Sequence, residues 1–157
     1  MAYNPEFMKE AVRLSEENIY KGKGGPFGAV IVKDGEIISC GTNCVTSLND
    51  PTAHAEVQAI REACKKLSTF HLKGCEIYTS CEPCPMCLSA IYWAGLEKIY
   101  YANTRKDAAD IEFSDDFIYK EISLDLSERA IPMEQHMHSE ALKVFSEWKD
   151  YPDKIKY

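Results

Sequence analysis

The 157-residue sequence has no apolar run approaching the ~20 residues needed to span a bilayer. Its start, Met1-Ala2-Tyr3-Asn4-Pro5-Glu6, has neither the basic end nor the apolar stretch of a secretory signal, so the expectation is a cytoplasmic protein without membrane contact. Internal repeats, low-complexity stretches and linker-like composition shifts are also missing. The length suits a single domain over residues 1–157. A disulfide framework is excluded by count and compartment. The seven cysteines (Cys40, Cys44, Cys64, Cys75, Cys81, Cys84 and Cys87) are odd in number and clustered, the pattern of reduced thiols plus a metal site. Basic charge is scarce in the last third, where residues 107–157 carry 6 basic and 13 acidic side chains, the whole formal charge of −7. Nucleic-acid binding depends on Lys and Arg neutralising phosphates, so this balance favours a small substrate over a polynucleotide.

What is there alternates between helix and strand. Residues 5–20 carry a helical stripe of Phe7, Ala11 and Leu14 beside Met8, Val12 and Ile19, behind an Asn4 cap with Pro5 in the first turn. The loop Lys21-Gly22-Lys23-Gly24-Gly25-Pro26-Phe27-Gly28 leads into a strand. A phosphate-binding loop does the reverse, so the glycines instead let backbone approach a ligand. Phe27 reads equally well as core or as ligand contact. Asp34-Gly35 between two β-branched runs marks a hairpin. Asn43, where the second strand runs out, is a turn residue or an amide offered to a ligand. Helices over 54–67 and 85–94, strands over 76–80 and 98–102, and an amphipathic helix over 139–149 follow. Residues 107–121 read as broken helical turns and 131–135 as an edge strand. Such alternation predicts an α/β layered sheet with parallel pairing after the hairpin.

Two stretches carry chemistry: Asp50-Pro51-Thr52-Ala53-His54-Ala55-Glu56 and Cys81-Glu82-Pro83-Cys84-Pro85-Met86-Cys87, each opening a helix. One imidazole (His54) and two thiolates (Cys84, Cys87) make three ligands, the number for a catalytic zinc with its fourth position open to water. Glu56 is then the carboxylate that moves protons to and from that water. Pro85 suits the first helical position, which puts Cys84 at the N-cap and Cys87 in the first turn, where the helix dipole favours thiolate. His54 and Glu56 are two residues apart, ~200° on a regular helix, so they share a site only if His54 lies at the helix mouth. The bland alternative is a closed structural zinc with Cys81 as fourth ligand. An iron–sulfur cluster lacks a suitably spaced fourth cysteine.

The segments Thr52-Ala53-His54-Ala55-Glu56 and Pro83-Cys84-Pro85-Met86-Cys87 resemble the signature of the cytidine-deaminase-like zinc nucleobase deaminases. Within that superfamily the chain is similar to the small bacterial guanine deaminases. That likeness rests on Gly24-Gly25-Pro26-Phe27-Gly28, Ala90-Ile91-Tyr92-Trp93, residues 113–121 and the terminal Lys156-Tyr157. The resemblance implies a three-layer α/β/α fold around a mixed five-stranded sheet, with one Zn2+ per subunit. It also implies a homodimer in which residues from about 122 to 157 cross to the partner. By the same resemblance Asn43, Asp115, Tyr157 and Ala55 bind guanine, Phe27 and Trp93 line its ring, and the reaction is hydrolytic deamination to xanthine and ammonia. Transfer-RNA adenosine deaminases share the metal motif and are the rival reading. A non-catalytic zinc-stabilised binding module is the rival from another class.

Overall fold

The structure, a computed structural model, describes residues 2–156. The chain divides into two compact units, one running to Asp116 and one starting at Phe117. In the first unit the elements are α1 (Pro5–Lys21), β1 (Gly28–Lys33), β2 (Glu36–Thr42), α2 (Val45–Leu48), α3 (Ala55–Leu67), β3 (Cys75–Cys81), α4 (Pro85–Ala94), β4 (Lys98–Asn103) and α5 (Arg105–Asp110). Helix α1 begins where Asn4 accepts the Glu6 N–H at 3.0 Å and ends at Gly22 in the left-handed region. Asp34 (φ 51°) and Gly35 (φ 81°) make the tight hairpin turn that joins β1 to β2, with the positive φ at both positions that the right-handed strand twist demands.

The sheet order is β2-β1-β3-β4. Strand β1 pairs antiparallel with β2 and β3, while β3 pairs parallel with β4 through the α4 crossover. Alternation along β1 sets the layers. Ala29 and Ile31 face Ala55, Ala59 and Ala63 of α3 and Ile91 and Ala94 of α4. Val30 and Val32 face the other way, toward Ala11 of α1 and Tyr78 of β3. The small side chains allow near contact of backbone. A Cβ on Gly41 would lie 2.1 Å from the Ala55 carbonyl oxygen, and one on Gly28 2.5 Å from that of Ala11. The α/β/α layering therefore follows the sequence expectation. The sheet does not, since it has four strands rather than five.

The second unit contains most of α6 (Asp116–Ser123), a 3-10 turn at Leu126–Glu128 and α7 (His138–Asp150). Residues 131–135, expected as an edge strand, form no ladder. Pro132 has no N–H to donate, and no neighbouring strand within the unit offers an edge. Local bonds shape this stretch instead, with the Ala130 N–H donating to Glu121 Oε2 at 2.7 Å. From Phe117 to Lys156 no side chain is buried. Among the described residues no helix is long and apolar enough to cross a membrane.

Candidate active site

Two helix starts build the site. His54 is the N-cap of α3, with extended backbone (φ −71°, ψ 156°), so its ring is free of the helical 100° step. Glu56, second residue of the helix, turns inward and is buried. Extended backbone at His54 thus removes the angular conflict between the two. Cys84 is likewise the N-cap of α4 (φ −66°, ψ 168°), with Pro85 in the first turn and Cys87 buried behind it.

These two helix mouths converge. His54 Nδ1 lies 3.5 Å from Cys84 Sγ and 3.4 Å from Cys87 Sγ. Zinc bonds of about 2.0–2.1 Å to nitrogen and about 2.3 Å to sulfur, set tetrahedrally, separate N and S by about 3.5 Å. The three donors therefore fit zinc, and they form the one such group among the described residues. Cys81 does not join it. Its thiol points to the Thr104 carbonyl at 3.6 Å, and burial pushes its pKa up to about 11, which keeps it protonated. A closed four-ligand site through Cys81 is thus not formed, and a fourth position is left for a small molecule.

Charge at the cluster is uneven. Hydrogen bonding from Cys87, and from His54, holds the Cys84 thiol down to about 4. Cys87 is pushed up by the proton it shares with Cys84 and by burial. The bond to Cys84 raises His54 above its usual value, against the opposing effect of burial. A divalent cation takes the place of those protons when it binds. Burial raises the Glu56 carboxyl, bringing its basicity closer to neutrality.

Around the cluster stand most of the sequence candidates. Asn43 is buried at the end of β2, and the Cys44 N–H donates to the Ala53 carbonyl at 2.9 Å, which ties this corner to the residue before His54. Ala55 is buried in the first turn of α3, among the N–H groups a helix leaves without internal partners. Phe27 is half-buried against the core and meets the Phe113 ring edge-on, centroids 5.0 Å apart. That contact anchors the turn after α5, where Glu112 adopts φ 71°, and Asp115 follows within electrostatic reach of Cys84. Burial raises the Asp115 carboxyl above its ordinary value. Trp93 stands 73% exposed in the last turn of α4, six residues on from Cys87 and on a different side of the helix. Tyr157 lies outside the described residues.

Two contributors escaped sequence reasoning. Thr79 of β3 is buried and its hydroxyl donates to Glu56 Oε1 at 3.3 Å. The signal was available, because Ile77 faces α3 and strand alternation sends Thr79 the same way. Phe113 was quoted within a motif without a role, and no periodicity points from it to Phe27.

Residues 1–103, which include all three metal-site residues and Glu56, match the family model described as the cytidine and deoxycytidylate deaminase zinc-binding region. The chain is 55% identical to a guanine deaminase of Bacillus subtilis (strain 168) over 96% of its own length and 97% of that protein's. A solved structure of guanine deaminase from Bacillus subtilis superposes with a TM-score of 0.96 at 53% identity, covering 99% of each chain. A tRNA-specific adenosine deaminase of Aquifex aeolicus (strain VF5) is 49% identical, but over 61% of this chain and 63% of its own. The resemblance read from the two short motifs thus extends to the greater part of the chain and to its fold, and the protein belongs to the cytidine and deoxycytidylate deaminase zinc-binding family.

Proposed function

We propose that this protein is a zinc-dependent guanine deaminase, hydrolysing guanine to xanthine and ammonia in purine catabolism or salvage. The observation that carries the reading is likeness to a guanine deaminase at 55% identity over 96% of the chain, where tRNA-specific adenosine deaminases match at 33–49% identity over 48–77% of it. His54, Cys84 and Cys87 hold the metal. Zinc at that position supplies Lewis acidity, lowering the pKa of the attacking water.

The remaining work falls to this chain's side chains. Glu56 accepts a proton as the water oxygen bonds to carbon 2 of the ring. The same carboxyl passes that proton to the ring nitrogen, then takes the proton of the new hydroxyl on carbon 2 and gives it to the amine, so that the C2–N bond breaks, the carbonyl forms and ammonia leaves. Water and guanine are thereby converted to xanthine and ammonia without an oxidant or a second substrate. Asn43 and the Ala55 N–H bind the purine edge, the Phe27 ring packs on it, and Asp115 accepts from the N–H groups that guanine has and adenine lacks. Tyr157 is assigned a further hydrogen bond to the base. The exposed apolar side chains from Phe117 on support a homodimer in which the C-terminal segment crosses to the partner, within one functional domain per chain.

The test is incubation of zinc-loaded protein with guanine, adenine, cytosine, guanosine and a tRNA anticodon stem-loop, assaying ammonia and the deaminated product. Turnover of guanine alone is expected. Activity on the stem-loop would move the protein to tRNA editing, and silence on all five would favour a structural zinc.

A further inference from the structure

Asn18 is the most deeply buried polar side chain of α1, with no accessible surface, although the helix otherwise presents charged residues to solvent. Its amide nitrogen donates twice, to the Gly25 carbonyl at 2.8 Å and to the Asn43 carbonyl at 2.9 Å. Those two donations settle the amide's orientation, since the reversed amide would set oxygen against oxygen. Asn18 Oδ1 is left buried without a partner among the described residues. An unpaired buried acceptor costs stability, which marks a side chain kept for what it positions.

What it positions is Asn43. The Gly25 N–H and the Val45 N–H both donate to Asn43 Oδ1, each at 3.2 Å. The Asn43 N–H in turn donates to the Phe27 carbonyl at 3.2 Å. The glycine loop is therefore clamped onto the end of β2 from both sides. No side chain fits between, because a Cβ on Gly24 would lie 2.1 Å from Asn43 Oδ1. With its oxygen committed to two backbone donors, Asn43 has only its NH2 group to offer a ligand. An NH2 group pairs with a ring carbonyl and repels a ring amine.

We propose that Asn18 is a positioning residue for specificity: by tying Gly25 to the Asn43 main chain it holds the Asn43 amide donor-outward, selecting a purine with a carbonyl at C6 over one with an amine there. The inference rests on the reading of Asn43 as a guanine contact. Asn18 touches neither substrate nor metal and acts through Asn43 alone.

The experiment measures kcat and KM for guanine and for 2,6-diaminopurine, which share the reacting 2-amino group and differ at C6. It uses zinc-loaded wild type, Asn18→Ala, Asn43→Ala and the double variant. Asn18→Ala is expected to raise KM for guanine about tenfold with kcat little changed, and to lower the preference over 2,6-diaminopurine by a similar factor, because the Asn43 amide is freed to turn over. In the Asn43→Ala background the same substitution should change nothing further. Asn18→Asp keeps the shape and removes the donors, and serves if the alanine variant does not fold. Equal loss on both purines, with the preference intact, would reduce Asn18 to a structural residue and overturn the proposal. So would an Asn18 effect on preference that persists without Asn43. If Asn43→Ala itself leaves the preference unchanged, the reading of Asn43 fails first and the proposal falls with it.

Discussion

Up to Asp116 the chain buries an apolar core in two layers around a sheet; from Phe117 to Lys156 it buries no side chain. Ile31 in the first unit has no exposed surface, whereas Phe145 on α7 is 74% exposed, and Leu142 and Trp148 each stand half exposed. The difference separates two ways of being folded. The first unit excludes water by itself and so can hold a buried carboxyl and three metal donors in register. The second, about forty residues, is at the size below which a chain rarely builds a sufficient core alone. Its helices are amphipathic in sequence with nothing of their own unit to cover them.

The sharpest test of that contrast concerns chemistry. Glu56→Gln changes one buried atom in the first unit and should retain zinc while losing turnover by about 10²–10⁴-fold, the range for a general acid–base group. Metal analysis beside ammonia release reads both; appreciable remaining activity would sink the proton-shuttling role.

Next comes packing. Ile31→Ala should cost about 2–5 kcal/mol of stability, seen in denaturant or thermal unfolding. Phe145→Ser should change unfolding of a monomer by only about 0.5 kcal/mol or less but shift a dimer toward monomer in sedimentation, because its exposed ring is then an interface. An unchanged sedimentation profile would break the reading of the second unit as an exchanged segment.

Smaller still is the effect on Glu56 positioning. Thr79→Val removes the hydroxyl that donates to Glu56 Oε1 and should lower kcat about tenfold with KM unchanged, while Thr79→Ser restores it. A valine variant with full activity would leave Thr79 as sheet packing.

The mildest expected effect is of pH on metal affinity. Ligands bind zinc deprotonated, so affinity falls as pH falls. Cys84, held near 4, is already a thiolate at neutral pH; His54 and Cys87, both raised, must release protons first. Competition with a chelator between about pH 8 and about pH 5 should therefore show weakening that begins above the ordinary imidazole range. A pH-independent affinity would contradict this assignment of protons.

Much of the first unit was legible. Gly95 in the left-handed region ends α4 where the sequence pattern placed the stop, and Asp34-Gly35 turns the hairpin as its residue types require. Both signals are local, since a cap or turn is decided within four residues. Residues 131–135 were misread because a strand exists only with a partner, and no spacing within the segment reveals whether one is there. The motif that holds Trp93 likewise says nothing of which side of the helix a member occupies, and the structure leaves that ring exposed on α4. Thr79, Phe113 and Asn18 were missed because the groups they meet, Glu56, Phe27 and Asn43, lie far from them in sequence, beyond the reach of any local pattern.

By itself, then, the sequence determined the donor set of His54, Cys84 and Cys87, the carboxyl of Glu56, and helix starts at both motifs, because residue chemistry and caps are local properties. Only the tertiary structure decided that these starts face each other at zinc spacing, that Cys81 turns away to Thr104, and that Asn18 reaches Gly25 and Asn43. Those outcomes depend on how closely alanine-faced helices approach the sheet, and that distance is set by packing across the whole unit rather than by any single stretch of chain.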